Sequence, residues 1–163
     1  GAAGGCVSGK KEIVEMCRQR ARPYLFSNTV PPVVIAAAIK VVDIISKSTV
    51  RRDKLEANTV YFREKMIQAG LDIKKGESPI VPVMLYNAKL AQDVARDLYT
   101  EGIYVVGFFF PVVPQGQARI RTQISADHER DHLDKAIAAF TKIGEKYKIL
   151  GKMKDDIIAM YGM

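Results

Sequence analysis

The order of apolar and polar positions divides the chain into alternating helical and extended stretches. Lys10 to Arg22 carries helix-forming residues up to Pro23, where a helix must stop. Val33 to Ile45 follows Pro31-Pro32 and is interrupted only by Lys40 and Asp43, which predicts a helix buried on most sides, by a second subunit if not by this chain. From Ser48 the pattern becomes charged and amphipathic, with Leu55, Thr59, Phe62 and Met66 on one stripe and Gly70 as its stop, the longest helix expected. Leu71 to Lys75 and Ile80 to Leu85 read as strands, and Pro82 sends the second to a sheet edge or a bulge. Ala88 to Glu101 is another amphipathic helix, with Leu90, Val94 and Leu98 inward and Gly102 closing it.

Ile103 to Phe109 is β-branched and aromatic and predicts a strand, and Pro111 to Gly116 is a turn-rich link into a strand over Gln117 to Ser125. In that strand Ala118, Ile120, Thr122 and Ile124 share one face, so Arg119, Arg121 and Gln123 share the other. A last helix is expected from near Asp127, burying Leu133, Ile137, Phe140 and Tyr147, with a fraying extension after Leu150. Ala2 to Val7 is a small-residue run suited to a buried strand or tight turn. Helices alternating with strands indicate an α/β or α+β domain.

Composition narrows this picture. With 163 residues, 48% of them hydrophobic and 26% charged, the chain is a globular protein, neither disordered nor fibrous. Its longest nearly apolar stretch, Ile103 to Pro114, is far shorter than the ~20 residues that cross a bilayer. Cys6 and Cys17 form no disulfide framework or metal knuckle, which points to a reducing compartment. The net charge of +7 is scattered over separate elements with acidic neighbours, a pattern of solvated helix faces rather than of a nucleic-acid surface. Residue 1 is Gly and the opening residues lack the features of a secretory signal, so the chain is expected to be a processed piece or an excised domain.

Four groupings carry candidate chemistry. His128, Glu129 and His132 match H-E-x-x-H, the spacing of a zinc hydrolase, but they fall where Asp127, Glu129 and Asp131 complement the start of a helix. The glycines at 1, 4 and 5 match no phosphate-binding fingerprint. Ser27-Asn28-Thr29 offers hydroxyl and amide donors ahead of a helix, suited either to capping it or to holding a phosphate. Arg119 and Arg121 offer guanidinium forks that match a carboxylate, or a merely solvated sheet face.

Two stretches resemble a known family: Arg20 to Thr29, with Tyr24-Leu25-Phe26-Ser27-Asn28 at its centre, and Gly107 to Ala126, with Pro111-Val112-Val113-Pro114 ahead of Ala118-Arg119-Ile120-Arg121-Thr122-Gln123. The family is the α-oxoamine synthases, enzymes dependent on pyridoxal 5'-phosphate, and the likeness runs from Gly1 to about Leu150. It implies the α/β fold of the C-terminal part of a fold-type-I transferase. Residues 1–47 would end the large cofactor-binding domain, 48–70 would form an interdomain helix, and 71–163 a small α+β domain with an antiparallel sheet.

The resemblance also implies an acyltransferase interconverting glycine and acetyl-CoA with 2-amino-3-ketobutyrate and CoA, acting as a homodimer in cytoplasm or mitochondrial matrix, without nucleic acid or membrane. Ser27 and Asn28 match positions that reach the cofactor phosphate of the neighbouring subunit, and Arg121 matches the residue that binds the substrate carboxylate. Arg119 acquires no role, and His128 matches a position at the start of the last helix. The lysine that holds the cofactor, the histidine that stacks on it and the aspartate that pairs with its pyridine nitrogen are implied upstream of Gly1. No catalytic residue or metal ligand is expected in this chain, which alone would be inactive. Thr29, Phe110 and Gln115 depart from the usual Ser, Tyr and Lys, and Gln115 removes a cation that could meet coenzyme A. A catalytically silent binding module or another α-oxoamine synthase are the competing expectations.

Overall fold

The computed structural model describes residues 4–162, and the chain divides into two compact units, Gly1–Thr49 and Val50–Met163.

In the first unit α1 (Lys11–Arg20) is followed at once by α2 (Arg22–Phe26) and then by α3 (Pro32–Lys47). Pro23 does more than end a helix: it occupies the first turn of α2, where its missing N–H costs nothing. Residues 4–7 are exposed and carry no strand, contrary to expectation, while 1–3 lie outside the described residues. The helix predicted from Pro31-Pro32 forms, with Asp43 paired to Lys47 at 2.7 Å and Lys40 at 3.5 Å along one side. This chain by itself does not bury it: no residue of α3 is buried, and Val33, Ile39, Val41 and Val42 are all more than half exposed. An apolar run encodes the need for a cover and not its source, and here the cover is not among the described residues.

The second unit opens with α4 (Val50–Gln68), which buries Asn58, Thr59, Phe62 and Met66. Phe62 lies four and three residues from Asn58 and Thr59 and four from Met66, the spacing of a single helix face. β1 (Ile80–Tyr86), α5 (Ala88–Thr100), β2 (Gly107–Phe108), β3 (Ala118–Gln123), α6 (Arg130–Lys146) and α7 (Lys154–Tyr161) follow. The sheet is antiparallel in the order β1-β3-β2, so the proline-bearing strand is an edge. Val81, Val83 and Leu85 of β1 and Ala118 and Ile120 of β3 join Leu90, Val94 and Leu98 of α5 and Leu133, Phe140 and Ile143 of α6 in one core. No helix among the described residues is long and apolar enough to cross a membrane.

Four expectations change here. Leu71 to Lys75 is no strand of its own: it lies along β1 through one bridge, Ile73 to Val83, and the bonds Lys74 N–H to Pro82 O (3.0 Å) and Met84 N–H to Asp72 O (2.8 Å). Pro82, lacking an N–H, cannot extend that ladder. Within Ile103 to Phe109 only Gly107 and Phe108 pair with β3. At Gly107 an added Cβ would lie 3.1 Å from Ala91 O, so a larger residue would have to push this segment a few tenths of an ångström from α5. The last helix starts at Arg130 because residues 125–129 are closed into a turn by histidine rings, described below. Finally, the segment after Leu150 is no fraying tail: α7 buries Ile157 to 1% exposure, and Asn87 Nδ2 donates to Tyr161 O at 2.9 Å.

Gly70 and Gly151 meet backbone to backbone. Both have left-handed φ values, +87° and +70°, and Gly151 N–H donates to Gly70 O at 2.7 Å. A Cβ on Gly70 would lie 2.9 Å from Gly151 N. Gly70→Ala is therefore expected to destabilise the protein by about 2–4 kcal/mol, from the left-handed backbone and the lost bond. The check is the denaturation midpoint of the full-length protein against Gly76→Ala, where nothing lies within 4 Å of the added Cβ. Equal midpoints for the two variants would refute it.

Candidate functional site

The alternation along β3 governs what this unit presents. Ile120 and Thr122 are fully inward, and Thr122 Oγ1 donates to Val81 O at 2.5 Å. Arg121 between them is therefore exposed on the opposite face. Its guanidinium lies over the Phe108 ring, 5.6 Å from the centroid, a cation–π contact. Arg119, half-exposed on the same face, donates to Gln117 O at 3.4 Å. Among the described residues no ion pair engages either arginine.

Arg121 lines an open groove of about 900 Å³ together with Tyr104, Val106, Phe108, Gln123 and Lys135. No Asp or Glu of the described residues lines it, so a carboxylate entering the groove meets no like charge there. Acidic groups are engaged elsewhere. Asp97 accepts from Lys146 Nζ (2.6 Å) and Tyr147 OH (2.8 Å), which together hold its carboxyl below the usual range. Burial, then the bond to Asp97, pushes the Tyr147 phenol up to about 12. Burial and the hydrogen bond to Asp72 likewise raise Tyr86.

The H-E-x-x-H stretch is a helix start. His128 precedes α6, its Nδ1 accepting from Ser125 N–H at 3.2 Å, while His132 Nδ1 accepts from Glu129 N–H at 3.1 Å. Glu129 is the N-cap, and Lys54 Nζ, 2.5 Å from its carboxylate, holds that carboxyl low. With one imidazole outside the helix and both Nδ1 atoms engaged, the two rings stand edge to face with centroids 6.4 Å apart. They do not form the ligand pair that one helical face would give.

In the first unit Ser27 is the C-cap of α2 and Asn28 begins the irregular link to α3, both exposed. Neither caps α3: its N-cap is Pro31, with no side-chain bond. Their hydroxyl and amide are thus available to a ligand.

Sequence reasoning passed over Asn58 and Asn87, two buried amides. Asn58 Nδ2 donates to Ser125 O (3.2 Å) and His128 O (2.8 Å). Asn87 Oδ1 caps α5 at Leu90 N–H (2.8 Å), and its Nδ2 reaches α7. The signal for Asn58 was an amide on the apolar stripe of a helix, a place asparagine occupies only with partners.

The chain belongs to the aminotransferase class I and II family, whose model matches residues 1–140. Within it the chain is similar to the 2-amino-3-ketobutyrate coenzyme A ligase of Escherichia coli (strain K12), 50% identical over 150 residues, 92% of this chain and 38% of that protein. The mitochondrial 2-amino-3-ketobutyrate coenzyme A ligase of Homo sapiens is 45% identical over 92% of this chain and 36% of its own length. Among solved structures, a serine palmitoyltransferase from S. paucimobilis with bound PLP and myriocin superposes with a TM-score of 0.80 at 25% identity, over 88% of this chain and 36% of that one. An 8-amino-7-oxononanoate synthase from Francisella tularensis gives 0.67 at 27% identity, over 86% and 41%. These relatives are α-oxoamine synthases, in agreement with the resemblance read from residues 20–29 and 107–126. The chain spans less than two fifths of the length of the curated relatives described.

Proposed function

We propose that this chain is the C-terminal part of a pyridoxal-phosphate-dependent acyltransferase that joins glycine to the acetyl group of acetyl-CoA, giving 2-amino-3-ketobutyrate and CoA, and runs the reverse cleavage. The observation that carries the reading is 50% identity over 92% of the chain to a ligase of that name. In this reading residues 1–47 end the large domain, residues 48–70 join the domains and residues 71–163 form the small one. The protein works as a homodimer in cytoplasm or mitochondrial matrix.

The residues present suit the cofactor and substrate. Ser27 and Asn28 carry exposed donors committed to no helix cap, fit to hold a phosphate of the neighbouring subunit's cofactor. Arg121 binds and orients the glycine carboxylate, its fork steadied by Phe108 and facing no competing acid in the groove. When bound, pyridoxal phosphate supplies an electron sink for the amino acid's α-carbon. The lysine that would hold it lies upstream of Gly1, so the chain alone is inactive.

The test is CoA release from acetyl-CoA by the full-length protein with glycine, beside the same assay on residues 1–163 alone. Release with glycine by the full-length protein only is expected. Release only with a longer acyl-CoA would move the assignment to another α-oxoamine synthase, a reading favoured by 42% identity to the 8-amino-7-oxononanoate synthase of Thermosipho melanesiensis. Activity of the 163 residues by themselves would refute the upstream lysine.

A further inference from the structure

The main chain that carries Arg121 makes its own hydrogen bonds on one side only. Its partner on β1 is Pro82, in a pair whose peptide groups face away from each other, with Pro82 O turned to Lys74 N–H. On the other side, Arg121 N–H reaches Val106 O at 3.5 Å, the limit of a hydrogen bond, and β2 pairs only with Arg119 and Ile120. The segment is anchored further along the chain. Ile124 N–H donates to Pro79 O at 3.0 Å, and Ser125 enters a turn that Asn58 fastens to α4.

That fastening is built. Asn58 is 5% exposed, and its one amide nitrogen donates to both ends of the turn, Ser125 O and His128 O. The His128 ring closes the same turn by accepting from Ser125 N–H. Two ion pairs flank it, Arg51 to Asp127 at 3.4 Å and Lys54 to Glu129 at 2.5 Å. Being exposed, they add little next to two buried hydrogen bonds. The amide therefore sets where β3 ends relative to α4.

We infer that Asn58 is a positioning residue for Arg121: through Ser125 it fixes the far end of β3, and so the place of the guanidinium against an incoming carboxylate. The inference rests on the reading of Arg121 as the carboxylate clamp. Asn58 touches no substrate and acts through the strand.

The experiment is a glycine titration of the full-length protein loaded with pyridoxal phosphate, followed by cofactor absorbance, for Asn58→Leu and Asn58→Asp. Asn58→Asp keeps the shape while its carboxylate cannot donate to the two carbonyls, so it serves where Asn58→Leu fails to fold. Each folded variant should raise the glycine dissociation constant about five- to tenfold, with cofactor retention unchanged. Amide hydrogen exchange at residues 122–125 should quicken. Placed on Arg121→Ala, neither change should weaken glycine further, because the group it positions is gone. Parental glycine affinity in a folded Asn58 variant, or an effect fully additive with Arg121→Ala, would overturn the inference while leaving the clamp intact. An Arg121→Ala protein that binds glycine like the parent would overturn the clamp, and this inference with it.

Discussion

In the full-length protein Arg121→Lys is expected to weaken glycine binding about tenfold, and Arg121→Ala about a hundredfold or more. A guanidinium fork makes two parallel charge-assisted bonds to a carboxylate, whereas an ammonium offers a point charge, so the lysine variant loses about 1.5–3 kcal/mol. The change also alters the cation–π contact with Phe108, where the guanidinium now sits 5.6 Å from the ring centroid. Alanine removes that counter-ion and leaves Lys135 of α6 in the groove, with Arg119 on the same face of β3. Cofactor retention should be unchanged in both variants, because the residues proposed to hold the phosphate lie in the other unit. Glycine titration by cofactor absorbance measures this. If Arg121→Ala binds like the parent while Arg119→Ala does not, the clamp belongs to Arg119, one step along the same face.

The second large effect is expected at Ser27 and Asn28. Replacing both with alanine in the full-length protein should weaken pyridoxal phosphate retention at least about a hundredfold, since two hydrogen bonds to a charged phosphate are lost, each worth about 1.5–3 kcal/mol. The fold should be indifferent, because neither side chain caps a helix. Mixing this variant with a subunit whose cofactor lysine is replaced should regain about one working site per mixed dimer. The lysine then comes from one subunit and the phosphate donors from the other. Mixtures that stay inactive would count against a site shared across the dimer.

How much of this was legible in sequence depended on whether a pattern was local. Strict alternation from Ala118 to Ile124 fixed which side of β3 holds Arg121, and the three-four stripe through Phe62 and Met66 fixed the inner face of α4, because both follow from backbone geometry alone. The start of α6 was placed three residues early, since three acidic groups near Asp127 satisfy the helix dipole equally well within or ahead of the first turn. Ile103 to Val106 has the composition of a strand, yet pairing needs a partner, and only at Gly107 does the chain come close enough to α5 and β3. α7 docks through Ile157 in the core, Tyr161 OH on Tyr147 O and the amide of Asn87, contacts of which the last lies 74 residues away in sequence. For Asn58 the apolar stripe of α4 marks a buried amide, but its partner 67 residues away leaves no periodic trace.

The period of two along β3 makes the unit unequally tolerant of changes in chain length. An extra residue beside the exposed Gln115 is absorbed by the link into β3, and Ala118 to Gln123 keep their partners on β1. A single residue inserted between Ala118 and Arg121 exchanges the two faces: the guanidinium turns in among Val83, Leu98 and Phe140, and Ile120 turns out to solvent. Homologues and engineered chimeras of this unit should therefore vary in length at the 109–117 link and not within the strand, and sequence alignments that place a gap inside residues 118–123 are in the wrong register.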